Sequence, residues 1–337
     1  MIPQGSVPGA GRGERMGGLW RFSWIREVAL LPVLALVVII GAIVNPVFLN
    51  LSNLLSLLQQ SSELAVMTLG LALILISGKF DLSLESTFGL APMVAAWLMS
   101  GASLGGSGLH IPAAIGILVV LAIGLSVGAF NAFMVVNLRL HAFMVTLAML
   151  ILLRGLSLGT THGSTLYDLP PSFFALGAAS WFGVSVAVWF TVALFVLTGL
   201  FLRYHSLGRS VYATGGNAEA ARAAGIRVDR VHWFVFVFGS LLAAVGGLML
   251  TGRQGAVTAA QGQNMIFSAF AAAVIGGVSL NGGRGRVLGV ATGVLLLGVI
   301  NNILQISQIP VFWIDATYGA MILIALLLAK FTGQGAE

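Results

Sequence analysis

The chain has 337 residues, of which 58% are hydrophobic and 8% charged, and its mean hydropathy is +1.02. A soluble globular domain carries about 25% charged residues, so this composition excludes a soluble enzyme, a disordered regulator and a secreted module, and makes lipid the main solvent. The net charge of +6 rests on only 16 basic and 10 acidic residues, too few for a basic face, so no nucleic-acid partner is expected. With no cysteine, disulfide frameworks and thiolate metal sites are excluded.

Residues 1–26 are rich in Gly, Pro and Arg and read as a cytoplasmic tail. The apolar run that follows lacks a small-residue cleavage site, so it reads as a retained span rather than a signal peptide. A helix needs about 20 apolar residues to cross the hydrocarbon core. Ten such segments appear, at 29–47, 64–77, 86–99, 111–135, 143–158, 182–202, 233–251, 266–280, 287–303 and 311–329. They run continuously and do not alternate with period two, which excludes a barrel. Residues 53–60 (NLLSLLQQ) read as a separate short interfacial helix. The expected fold is an all-α integral membrane protein with about ten transmembrane helices, several short or broken. One polytopic domain covers 27–330, and 331–337 form a short cytoplasmic tail.

Placement of Lys and Arg sets orientation. With the N-terminus inside, fourteen basic residues fall inside: Arg12, Arg15, Arg21, Arg26, Lys79, Arg139, Arg203, Arg209, Arg222, Arg227, Arg230, Arg284, Arg286 and Lys330. Only Arg154 and Arg253 fall at the outer side. One missed span would scatter them, so the bias supports the span count and places both termini in the cytoplasm. The longest inner connection, 203–230, contains AEAARAAG over 218–225, which predicts one short helix ended by Gly225.

Spans two to five and seven to ten can be superposed as an inverted repeat. In each set the second span is short and adjoins a polar turn, GKFDLS at 78–83 and SLNGGRGR at 279–286. Short, Gly-interrupted segments in matching positions point to a transport pathway.

No Walker A, HExxH or GxSxG sequence occurs. His110, His141, His162, His205 and His232 lack ligand spacing, so no metal, catalytic residue or cofactor is expected. Glu63, Asp81, Glu85, Arg154 and Asp315 sit near predicted span ends, where interfacial structural roles are expected. Asp81, followed by Ser83, suits a structural turn that caps the next helix. Uncharged polar groups suit a sugar or polyol, because hydroxyls pair with amides without the cost of burying a charge. Candidates for the path are Asn131, Thr146, Asn264, Ser268, Asn301 and Asn302, with Phe267, Phe270 and Trp313 able to stack on a sugar ring. Hydrogen bonding between helices is the alternative use of the same polar residues.

Five motifs in order resemble the membrane permease subunits of ribose-type sugar ABC importers, within the branched-chain amino acid/ribose-type permease superfamily. They are SGKFDLS (77–83), FMVTLAMLILLRGLSL (143–158), YDLPPSFFALG (167–177), LGRSVYATGGNAEAARAAGI (207–226) and AAAVIGGVSLNGGRGRVLGVATGVLLLGVINNIL (271–304). The resemblance covers about 64–327. It implies an inner-membrane dimer of permeases, two cytoplasmic ATPase subunits that bind the ATP, and a periplasmic sugar-binding protein above. It makes the inner loop the coupling loop, with Ala213, Gly215, Gly216, Asn217, Glu219, Ala220, Arg222 and Gly225 as the residues that receive the ATPase motion. The sequence departs from the family at Lys79 and Glu85, which replace glycines, and at Ile266 and Ser268, which stand where acidic residues are common. An acidic contact there is therefore expected to be absent.

The reading that follows is a transport subunit without catalytic activity, forming the path for a neutral sugar or related polyol. A proton- or ion-coupled carrier would need an essential mid-span carboxylate, for which Asp315 is the test. A membrane-embedded enzyme would need a nucleophile–base or metal constellation that the sequence does not show.

Overall fold

The computed structural model describes residues 30–310 and, beyond them, residues 312, 313, 316, 317, 319, 320 and 323. Both tails, Asp315 and most of the segment expected at 311–329 lie outside the described residues.

In chain order the helices are α1 Leu30–Val44, α2 Leu51–Ile76, α3 Leu84–Met99, α4 Ala113–Ala132, α5 Ala142–Thr161, α6 Pro171–Ala178, α7 Val186–Tyr204, α8 Ser206–Gly216, α9 Ala218–Ala223, α10 Val228–Gln254, α11 Met265–Ile275 and α12 Val287–Ile306. A π-turn, Phe133–Asn137, extends α4. Six helices (α2, α4, α5, α7, α10 and α12) are long and apolar enough to cross a membrane, while α1, α3 and α11 are shorter apolar helices. The chain is an all-α multi-pass membrane protein.

α10 is the central element and packs against α2, α3, α4 and α6. At 27 residues it is about 40 Å long. α2 and α10 are buried along most of their length, whereas α4, α5 and α7 keep wide apolar faces exposed. That pattern fits lipid as solvent, since helices apolar all round need no polar outer face. Lipid tails supply no hydrophobic drive between helices, so close backbone approach must hold them together. Gly70 of α2 and Gly239 of α10 provide it: a Cβ on Gly70 would stand 2.9 Å from the Gly239 carbonyl oxygen. Phe88, Phe236, Met67 and Leu71 fill the core beside this crossing.

The structure corrects four boundaries. Residues 53–60 are not a separate interfacial helix; α2 runs unbroken from Leu51 to Ile76. Two of its polar residues are satisfied in place, with the Ser62 hydroxyl donating to Leu58 O at 2.7 Å and Glu63 paired with Arg253. The segment expected from 182 starts as a helix only at Val186, because Phe182 (φ 53°) and Gly183 (φ 78°) turn a two-stranded hairpin, β1 Ser180–Trp181 with β2 Val184–Ser185. Two positive φ angles in a two-residue loop are the turn that matches strand twist. The eighth segment ends at Ile275, five residues early, where Gly277 takes φ 81°. The inner loop holds two helices, α8 and α9, rather than one, broken at Asn217.

Candidate coupling junction and translocation face

The break at Asn217 follows from its side chain. Oδ1 accepts the backbone N–H groups of Glu219 (3.0 Å) and Ala220 (2.9 Å), capping α9 as it ends α8. At the other end Gly225 (φ 84°) donates to Arg222 O at 2.9 Å and Ile226 to Ala221 O at 3.0 Å. This is a Schellman closure built on the left-handed conformation that glycine tolerates. Of the predicted coupling residues, Ala213, Gly216, Asn217, Glu219, Ala220, Arg222 and Gly225 are exposed. Arg222 also pairs with Asp229 across 3.4 Å.

Gly215 is the exception and faces inward. A Cβ there would fall on the Ile76 carbonyl oxygen and 2.6 Å from Gly283 N. That carbonyl accepts the Gly283 N–H at 2.8 Å. Tyr212, one turn earlier on α8, donates its hydroxyl to Gly285 O at 2.9 Å. Burial raises the Tyr212 phenol above its ordinary value, and nearby Arg286 partly opposes this. So α8 rests directly on both polar turns, one leading into α3 and the other following α11. The two turns are not equivalent in chain order, since GKFDLS precedes its short helix and SLNGGRGR follows its own; folding brings them to one place. Lys79 lies in the first turn, and its ammonium is held below the ordinary lysine range by burial and then by the Arg222 charge.

The same turn is fixed by Asp81. Its Oδ1 accepts the Ser83 N–H (2.8 Å) and the Ser83 hydroxyl (2.6 Å), and Oδ2 accepts Asn131 Nδ2 at 3.4 Å. Asp81 thus holds the entry to α3 from two residues ahead rather than capping its first amides. Asn131 also donates to Ser83 Oγ at 2.7 Å and is fully buried.

The predicted path residues do not converge. Thr146 is buried and bonds back to Ala142 O at 2.9 Å. Asn302 exchanges two 2.9 Å bonds with Asn53, tying α12 to α2. Asn301 accepts from Gln305 on its own helix at 2.9 Å. Ser268 is 8% exposed. Of the set, Asn264 (φ 66°) and Phe267 (55% exposed) stand on an open face of α11. Phe270, on that helix, stacks on Phe80 with centroids 6.1 Å apart.

One arrangement escaped the sequence reading. Glu85 of α3 is 2% exposed and forms an ion pair with Arg154 of α5. Its other oxygen accepts the backbone N–H of Ile266 at 3.4 Å, at the start of α11. The expected absence of a carboxylate at 266 and 268 is therefore offset from another helix. The available signal was that each residue is the sole charge on its helix.

A model of the family described as branched-chain amino acid transport system / permease component matches residues 53–326. The chain belongs to this family; it is a permease component of an ABC importer, a transport subunit and not an enzyme. It is 32% identical over 315 residues to the ribose import permease protein RbsC of Escherichia coli, covering 91% of this chain and 94% of the relative. It is 34% identical over 329 residues to a probable ABC transporter permease protein, y4mJ, of Sinorhizobium fredii (97% and 95% covered). It is 35% identical over 300 residues to the autoinducer 2 import system permease protein LsrC of Klebsiella pneumoniae (89% and 85%). No solved structure matches it.

Proposed function

We propose that this permease forms the translocation path for a neutral sugar or related polyol in the inner membrane. It works as a dimer with an identical or paralogous permease, above two ATPase subunits that bind the ATP and below a periplasmic binding protein. Ten spans, with both termini cytoplasmic, put the α8–α9 hairpin on the ATPase side. The observation that carries this reading is the seat of α8: Gly215 and Tyr212 rest on the turns bordering α3 and α11, so a push on the hairpin reaches both short helices. The sugar assignment is supported by the ribose and autoinducer 2 permeases among the relatives and by uncharged groups on the open face of α11. The charge pattern supports the orientation, since Lys79, Arg222, Arg284 and Arg286 gather in and around the same junction.

Reconstitution tests the proposal. Purified permease, cognate ATPase and binding protein in proteoliposomes should import a monosaccharide or sugar alcohol only when all three and ATP are present. Uptake by the permease alone under a proton gradient would overturn it.

A further inference from the structure

α10 is buried along most of its length, yet one stripe of it is open. Trp233, Phe234, Val237, Phe238 and Leu241 are each partly exposed, and their helical spacing puts them on one face. With Leu125 of α4 they line an open apolar groove of about 370 Å³. The way its walls are held explains the gap. α4 packs along α10, whereas α7 leans mainly on α2, α8 and α12. Phe201 of α7 reaches across to Phe234 with ring centroids 5.4 Å apart, and Phe234 stacks on Phe238 at 5.5 Å.

The groove has the depth of one leaflet. From Trp233 to Leu241 it runs about 12 Å, close to half of a hydrocarbon core of about 30 Å. Its one polar group is already engaged, since the Trp233 indole N–H donates to Asn137 Oδ1 at 3.0 Å. A tryptophan so placed suits the boundary between hydrocarbon and water.

Charge gathers at that same end. Arg230 lies one turn before Trp233 and Phe234 on the same face of α10. Arg139 comes two residues after Asn137, just past the π-turn that packs the end of α4 against α10. Both arginines are exposed, and neither makes a side-chain hydrogen bond or ion pair among the described residues. Asp229, beside Arg230 in sequence, pairs with Arg222 instead. Two unpaired cations at the mouth of an apolar slot match an anionic headgroup with a hydrocarbon tail. A second copy of this chain fits worse, because helices that meet in lipid approach through small residues, and this face carries three aromatic side chains and no glycine.

We infer that the groove binds an acyl chain of an anionic phospholipid, whose phosphate is held by Arg139 and Arg230. The guanidinium fork suits phosphate oxygens, and the chain fills the space between α4 and α7 that side chains leave open. With the orientation proposed above this lipid belongs to the cytoplasmic leaflet. The site itself depends neither on that orientation nor on the sugar reading.

The test uses the purified permease in an uncharged detergent. It is titrated with dioleoylphosphatidylglycerol and, separately, with dioleoylphosphatidylcholine, and bound lipid is counted by native mass spectrometry. The parent should hold one phosphatidylglycerol more tightly than any phosphatidylcholine. Arg139→Gln combined with Arg230→Gln should weaken phosphatidylglycerol about thirtyfold, or about fivefold for each arginine. Val237→Trp fills the groove and should weaken it about tenfold, the scale of two methylenes denied burial. Arg284→Gln removes an exposed charge from the other turn and should change nothing. Equal binding of the two lipids, or an equal loss in Arg284→Gln and the double variant, would reduce the effect to general attraction between charges and overturn the site. Unchanged phosphatidylglycerol binding by Val237→Trp would overturn it too. A parent that is dimeric where Val237→Trp is monomeric would give the groove to a second copy and reject the lipid.

Discussion

Gly215 of α8 lies against the carbonyl oxygen of Ile76, and that same oxygen accepts the Gly283 N–H at 2.8 Å. Three chain segments thus meet through backbone alone, with no side chain to yield. Gly215→Ala would drive a methyl group into two backbones, and overpacking of that kind costs about 1–3 kcal/mol. A methyl group on the neighbouring Gly216 would meet nothing within 4 Å. The expected result is a lowered melting temperature for Gly215→Ala in detergent and an unchanged one for Gly216→Ala, read by differential scanning fluorimetry. Equal melting temperatures for both would show that the junction yields, and that α8 does not grip the two turns.

The exposed residues proposed for coupling should separate fold from function. Glu219 has no side-chain partner among the described residues, and Gly216 borders open space. Substituting Glu219 by Lys, or Gly216 by Val, should leave the melting temperature within a degree or two while uptake per ATP hydrolysed falls severalfold. Asn217→Ala differs, because it removes a cap with two accepted bonds and should cost about 1 kcal/mol. Parallel measurements of ATP hydrolysis and uptake check this. Normal coupling in both Glu219→Lys and Gly216→Val would remove the hairpin as the docking surface.

The sequence conveyed the helices far better than the site. Continuous apolar runs are a local signal, and they located nine of the helices that the structure describes. The α9 terminus was readable too, because Gly225 supplies a left-handed closure that few residues allow. What failed were places where a distant partner decides. Glu63 looked like a span boundary until Arg253, 190 positions later, satisfied it in the helix interior. The partners of Glu85 were not legible, because Arg154 and Ile266 come to it only through folding. The partners of Asn131 and Asn302 were not legible either, because polarity alone does not tell a lumen from a helix contact. Phe182 misled differently: an apolar residue extended the apparent span into a hairpin turn.

Lys79 gives a pH signature. Burial and the Arg222 charge hold its folded-state value below the ordinary 10.5. In the window between those two values the folded protein binds fewer protons than the unfolded chain, so folding becomes more favourable as pH rises through it. Below the window the full penalty of the buried ammonium remains. Lys79→Met removes the titrating group. The difference in stability between the variant and the parent should therefore be largest at neutral pH and shrink as pH approaches 10.5. Denaturation in detergent across a pH series checks this, and a difference that stays flat would mean that Lys79 is as well solvated folded as unfolded.

The Glu63–Arg253 pair predicts an unequal response to removal of its two halves. Arg253 grips the carboxylate through Nε at 2.6 Å and Nη2 at 2.9 Å, a two-point geometry that suits guanidinium and carboxylate. Glu63 is 3% exposed while Arg253 is 30% exposed. Arg253→Met leaves a buried carboxylate without its counter-charge, and breaking a buried pair in that way costs about 3–5 kcal/mol. Glu63→Gln leaves the arginine near an open edge, where it can turn toward water, so its cost should be clearly smaller. The double variant should recover part of the loss, because no buried charge is then left unpaired. Thermal unfolding of the four proteins in the same detergent measures all three differences and the coupling between the two sites. If Arg253→Met proves no worse than Glu63→Gln, Glu63 reaches water in the folded protein and the pair does not tie α2 to the end of α10.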